Sequence, residues 1–143
     1  MRNLKTVTVL FRAKNSFENI IKKDVLSYGL NPSEFGTLEA LYHKGNLSVQ
    51  EVTEKVLIAN SSMTYVLDNL VKRGLITREQ SLKDKRSFVL SLTQNGIDKM
   101  NQIYPTHEIN MKKVLAVLTA EEELELQRLL KKIGKAASAC TCK

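Results

Sequence analysis

The sequence predicts a mainly α-helical chain that carries one small β-hairpin, and three observations predict it. Apolar residues recur with gaps of three and four through most of the chain, the spacing of a helix with one buried face. Three helix-capping patterns, at Asn31, Ser48 and Thr119, mark helix starts. Between Leu75 and Leu92 the period changes to two short runs of β-branched and apolar residues around a polar, basic tip.

Each element follows in order. Leu4 to Tyr28 reads as a long helix, with Val7, Leu10, Phe11, Phe17, Ile20, Ile21 and Val25 along one side and Gly29 as its stop. Asn31-Pro32-Ser33-Glu34 starts the second: Asn31 caps, Pro32 fits the first turn, and Glu34 reaches back to the cap. Phe35, Leu38 and Leu41 form its buried side, and Gly45 ends it. Ser48-Val49-Gln50-Glu51 opens a short third helix with Val52 and Val56 inward. A fourth helix is expected from Asn60 to Arg73, with Met63, Val66, Leu67 and Leu70 inward and Ser61, Tyr65, Asp68, Asn69 and Lys72 outward. The strands Leu75–Glu79 and Ser87–Leu92 flank the tip Gln80–Arg86. Thr93 caps a helix running to about Leu118, which Pro105 kinks or divides. Thr119-Ala120-Glu121-Glu122 starts the last helix, with Leu126, Leu129, Leu130 and Ile133 on one stripe. Three helices followed by a two-stranded wing make a winged helix-turn-helix, the arrangement that lays its last helix in a DNA major groove.

Charge points the same way. The formal net charge of the 143 residues is +7. Lys72, Arg73, Arg78, Lys83, Lys85 and Arg86 against Glu79 and Asp84 concentrate an excess of four positive charges between residues 72 and 86. Such a stretch suits an acidic partner, nucleic acid before an anionic membrane surface. A second basic excess lies in the first thirty residues, so the charge is not confined to one patch. No apolar run approaches the roughly 18 residues of a membrane span, and no secretion signal is read at Met1–Lys5, so the cytoplasm is the expected location.

The candidate DNA-contacting residues fall in two groups. Asn60, Ser61, Ser62, Thr64 and Tyr65 are short or hydrogen-bonding groups at the start of the fourth helix, able to approach base edges and phosphates. Lys83, Asp84, Lys85 and Arg86 form the hairpin tip. An arginine there fits the narrow minor groove, where negative potential concentrates, and Asp84 stands two residues away to orient it. Asp68 argues mildly against a phosphate-facing role at its own place on the fourth helix, unless it pairs with a nearby arginine. The bland readings are a capping role for Ser61 and a solvated charged turn at the tip.

The residues resemble a known family. Leu30-Asn31-Pro32-Ser33-Glu34-Phe35 with Leu38-Glu39-Ala40-Leu41 looks like the second helix of MarR-type regulators. Thr64–Leu75 resembles their recognition helix, and Asp84–Gly96 matches their wing pattern D-x-R-x-x-x-[LV]-x-L-T-x-x-G. The likeness spans about residues 5 to 135. It implies one MarR-type domain over 1–143, with a winged part at 31–93, helical dimerisation arms at 1–30 and 94–137, and a flexible tail at 138–143. It also implies a homodimer on a near-palindromic double-stranded DNA operator, acting as a repressor that a small ligand or reactive species releases. Arg86 takes the place of the family's wing arginine, with Asp84 as its partner.

The chain departs from the family at several points. Ala59 stands where many relatives carry serine, and Asn60 or Asn69 where many carry a basic residue, so no base preference carries over. The first helix lacks the cysteine of peroxide-sensing relatives. His43 and His107 do not reproduce the clustered ligands of zinc-sensing ones. Ile58-Ala59-Asn60-Ser61-Ser62 is similar to relatives that respond to quinones or other electrophiles. Tyr28, Tyr42, His43, Tyr104 and His107 are candidates to line an effector cavity, by analogy with the family.

No Gly-rich phosphate loop, H-E-x-x-H or nucleophile elbow is present, so no enzyme, metal or cofactor site is read. Cys140 and Cys142 read as two ordinary thiols of the tail, with a redox or metal role as the weaker alternative. A winged-helix protein-interaction module and a non-specific DNA-coating protein are the competing functions.

Overall fold

The computed structural model describes residues 4–59 and 61–140. The elements are α1 (Lys5–Leu26), α2 (Pro32–Lys44), β1 (Leu47–Ser48), α3 (Val49–Lys55), α4 (Met63–Lys72), β2 (Ile76–Gln80), β3 (Phe88–Leu92), α5 (Gln94–Leu115) and α6 (Ala120–Ala139). They fall in two compact units, Met1–His107 and Glu108–Lys143.

In the first unit, α2, α3, α4 and the sheet close around one apolar core. Leu38, Val52, Val66, Leu70, Leu90 and Met100 are fully excluded from solvent, with Val25 and Leu30 joining from the end of α1 and the turn after it. The capping boxes read at Asn31 and Ser48 both form. The Asn31 side chain accepts from the Glu34 amide at 2.8 Å while Glu34 Oε1 accepts from the Asn31 amide at 2.9 Å. The Ser48 and Glu51 pair does the same for α3.

Several expected boundaries shift, each for a local reason. Helix α1 stops at Leu26, because the amides of Tyr28 and Gly29 tighten onto the carbonyls of Val25 and Leu26 and Gly29 turns at φ 79°. Helix α4 starts at Met63, not at Asn60. The Ile58 carbonyl accepts from Ser33 Oγ at 3.2 Å, which holds the approach to α4 against α2. Ser62 is the N-cap, its carbonyl taking the first helical bond from the Val66 amide at 3.0 Å. Asn60 lies outside the described residues. Helix α5 passes through Pro105 undivided and ends at Leu115 rather than Leu118.

The expected hairpin is two-thirds of the sheet. Strands β2 and β3 pair antiparallel from Ile76↔Leu92 to Gln80↔Phe88, and β1 adds a third strand through Leu47↔Leu90 and Ser48↔Val89. A two-residue strand has no readable alternation, so only the pairing reveals it.

The link from wing to α5 is fixed by backbone contact. Thr93 donates its amide to Leu75 O at 3.0 Å and its hydroxyl to Gly74 O at 2.6 Å, and accepts from the Gly96 amide at 3.0 Å. A Cβ on Gly96 would stand 2.1 Å from the Leu75 carbonyl oxygen, so only glycine allows this approach.

The second unit holds the end of α5 and α6. The Thr119 and Glu122 capping box forms as read. Helix α6 continues to Ala139, two residues into the stretch expected as tail. Cys140 is disulfide-bonded, which corrects its reading as an ordinary thiol. Cys142 lies outside the described residues. Leu126, Leu129, Leu130 and Ile133 remain 40–43% exposed on α6.

Glu34 has a role the capping pattern does not reveal. It is almost fully buried, and its second oxygen, Oε2, accepts from Asn69 Nδ2 at 2.5 Å and lies 3.6 Å from the Arg73 guanidinium. One carboxylate thereby starts α2 and holds the C-terminal half of α4. Removing the carboxylate takes away the α2 capping bond and leaves the half-buried Asn69 amide without its acceptor, while the partly exposed Arg73 keeps its bond to Gly29 O. The lost cap and the lost acceptor together cost about 3 kcal/mol. Glu34→Ala is expected to lower unfolding free energy by about that amount in urea titration, with Glu34→Gln falling between it and wild type.

Candidate nucleic-acid interface

Helices α3 and α4 form the helix-turn-helix, and the first turn of α4 is the face it offers. Thr64 and Tyr65 are exposed there, Tyr65 at 65%. Ser62 is exposed at the N-cap and its side chain makes no capping bond. Ser61 is half-buried ahead of the helix. These four are therefore brought together at the N-terminal end of α4, but Ser61 and Ser62 precede the helix instead of lying on its wheel. Their hydroxyls stand at an end where helix amides are unsatisfied, which favours acceptor groups such as phosphates.

Farther along, the outward reading of Asn69 is corrected. Its amide turns back to Glu34, and the residue is half-buried. Asp68 pairs with Arg78 Nη1 at 3.4 Å, tying α4 to β2. The Arg78 guanidinium also lies 4.6 Å from the centre of the Phe88 ring. The carboxylate that is unfavourable on a phosphate-facing helix is thus engaged in a structural pair.

The wing tip is a braced turn. The Ser81 amide donates to Ser87 O at 2.9 Å, extending the ladder one step past Gln80↔Phe88. Ser81 Oγ accepts from the amides of Lys83 and Asp84, and Gln80 Nε2 donates to Lys85 O. Asp84 accepts from the Arg86 amide at 3.0 Å and from Ser87 Oγ at 3.3 Å, with the Arg86 Nε 3.7 Å away. Asp84 therefore shapes the turn first and steers the guanidinium second. Lys83, Asp84, Lys85 and Arg86 are all exposed, the Arg86 side chain at 96%. Arg78 and Arg86 both border a cleft of about 450 Å³ lined also by Ser48, Gln50, Ser87 and Phe88.

Away from the wing, the five residues named for an effector site form one cluster. The His43 and Tyr104 rings meet edge-on at 4.8 Å, Tyr42 packs 5.6 Å from Tyr104, and Tyr104 lies 5.8 Å from His107. Tyr28 joins through Asp24, a residue that sequence reasoning missed. Buried Asp24 accepts from the Tyr28 hydroxyl at 2.8 Å, and its other oxygen is 2.6 Å from His107 Nδ1. Phe35 covers the His107 ring at 4.6 Å. Asp24 follows two lysines on a helix, and nothing in that context marks it as buried; its partner is 83 residues away.

Glu39, on α2, borders the same cluster. Burial pushes its carboxyl above the ordinary value of 4.5, and the nearby His107 and His43 pull the other way without prevailing. A carboxyl raised in the folded state contributes stability below its unfolded value and loses it as pH rises through the folded one. Glu39→Gln is therefore expected to melt above wild type at pH 7 and to lose that advantage as pH falls below the ordinary carboxylate value. The check is a series of melts from pH 4 to pH 8.

Comparison with known proteins places this geometry in a family. The MarR family profile matches residues 30–88, from the turn before α2 to the start of β3. The chain is 38% identical over 133 residues to the HTH-type transcriptional regulator MhqR of Bacillus subtilis, spanning 93% of this chain and 92% of that protein. Its fold is similar to that of a mutant MarR from E. coli complexed with operator DNA (TM-score 0.77, 20% identity, 91% and 94% of the two chains). It is also similar to NadR in complex with 4-hydroxyphenylacetate (TM-score 0.76, 22% identity, 94% and 96%). The chain belongs to the MarR family of winged-helix transcriptional regulators.

Proposed function

We propose that this regulator is a homodimer that represses transcription by occupying a near-palindromic operator in the cytoplasm, and that a small molecule or reactive species releases it. The observation that carries the reading is the braced wing tip, which presents Arg86 in the same winged unit as the exposed start of α4. Thr64, Tyr65 and the preceding Ser61 and Ser62 read base edges in the major groove. Arg86 enters the adjoining minor groove, and Lys83 and Lys85 meet phosphates. Asn60 belongs to the same contact set by its place in the sequence. The similar E. coli protein is complexed with operator DNA, which supports this assignment.

Dimerisation is supported by exposed apolar surface outside the winged part. Val7, Val9 and Phe11 on α1 are 48–57% exposed, and α6 carries its stripe of four. The Tyr42, His43, Tyr104 and His107 cluster suits a planar aromatic effector, and the similar NadR holds 4-hydroxyphenylacetate. The role is binding rather than catalysis, in keeping with the regulators it resembles.

Sedimentation is expected to give a dimer at micromolar concentration, with an interface above roughly 2,000 Å²; a folded monomer would contradict it. Arg86→Ala should weaken operator binding at least tenfold and leave the melting temperature unchanged, because the side chain is exposed. Ser62→Ala and Tyr65→Ala should change preference among single-base operator variants. Lys83→Ala and Lys85→Ala should weaken every duplex alike and reduce the log–log salt slope by about 0.9 each. A salt series over a panel of operators with altered bases and half-site spacing reads all of these. Indifference to base and spacing would leave non-specific coating.

A further inference from the structure

The wing tip carries one side chain that its charge does not explain. Leu82 is the only apolar residue between Gln80 and Ser87, and it is fully exposed, at 103% of its reference area. It does not belong to the core cluster, nor to the stripes on α1 and α6. The turn nevertheless fixes its position. Ser81 and Ser87 form the last rung of the ladder, so Leu82 and Arg86 are the first residues beyond that rung on the two limbs of the tip. The bonds from the Lys83 and Asp84 amides to Ser81 Oγ hold the chain immediately after Leu82. An apolar group is thus presented on a preformed turn, opposite the arginine assigned to the minor groove.

We infer that Leu82 is a second minor-groove residue of the wing, packing its side chain against the sugar walls and base edges beside the Arg86 guanidinium. The inference rests on the DNA-binding reading proposed above. Proteins that enter the minor groove commonly pair a cation with an apolar wedge: the cation answers the groove's negative potential, and the wedge excludes water from its walls. Lys83, Lys85 and Arg86 bring the tip to DNA by charge. Leu82 would then gain affinity by leaving water, a contribution independent of salt. An apolar wedge also favours steps that open easily, so Leu82 would help select bases under the wing that Arg86 alone tolerates.

The test uses the full chain and a duplex recovered by selection from random-sequence DNA. Binding is measured across a salt series for wild type, Leu82→Ala, Leu82→Met, Leu82→Lys and Lys83→Ala, with a thermal melt of each. The expected result for Leu82→Ala is about tenfold weaker binding, the scale of one buried leucine, with salt slope and melting temperature as in wild type. Leu82→Met should restore most of the affinity, and Lys83→Ala should flatten the slope. Leu82→Lys binding tighter with a steeper slope would place residue 82 at phosphates and overturn the inference. So would Leu82→Ala binding like wild type, or a lowered melting temperature that makes the leucine structural. Those outcomes leave the DNA-binding reading standing, whereas a wild type that selects no sequence overturns both.

Discussion

The placement of α4 depends on one buried carboxylate. Glu34 Oε1 closes the cap of α2, and Oε2 holds Asn69 and faces Arg73 near the end of α4. Burying a carboxylate is unfavourable unless both oxygens find donors, and here both do. The consequence is directional. The C-terminal half of α4 is pinned to α2 by a charged network, while its N-terminal end stays free of side-chain capping and open to solvent. Under the proposed DNA-binding role that asymmetry is useful: α4 is held where it joins the core and open at the end proposed to meet DNA.

The wing applies the same logic with different materials. Arg78 is held between Asp68 and the Phe88 ring, so the middle of β2 is tied to α4. Thr93 and Gly96 tie the end of β3 and the start of α5 to the turn after α4. The tip between them owes its shape to local hydrogen bonds from Ser81, Asp84 and Gln80 rather than to packing. Its basic side chains can therefore be fully exposed without the turn being loose. The backbone that carries them is held by its own hydrogen bonds, and under the proposed DNA-binding role that prior ordering of the turn is what preorganisation contributes to affinity.

Much of this is legible in the sequence because it is local. Capping boxes at Asn31, Ser48 and Thr119, the inward faces of α2 and α4, and the D-x-R wing pattern all lie within a few residues, and the structure forms them at the same places. What escapes is set by distant partners. The 35-residue separation from Glu34 to Asn69 turns a predicted outward side chain inward. The Ser33 bond to Ile58 O delays the start of α4 to Met63. Leu47-Ser48 is too short to signal a strand, and Asp24 has no local mark of its buried histidine partner. The glycine of the wing motif is recognisable as a pattern, but its reason, the Leu75 carbonyl 2.1 Å from a would-be Cβ, needs three dimensions.

The central claim is that α4 and the wing read one DNA face together, in two symmetry-related copies. Hydroxyl-radical footprinting on a selected duplex tests it most directly, because cleavage reports the shielding of each backbone sugar, nucleotide by nucleotide. The account predicts two-fold symmetric protection, with inner segments from α4 spaced about 10 base pairs between half-site centres. Outer minor-groove segments should flank them and disappear selectively in Arg86→Ala. A footprint without two-fold symmetry, or one whose outer segments survive the loss of Arg86, would contradict it.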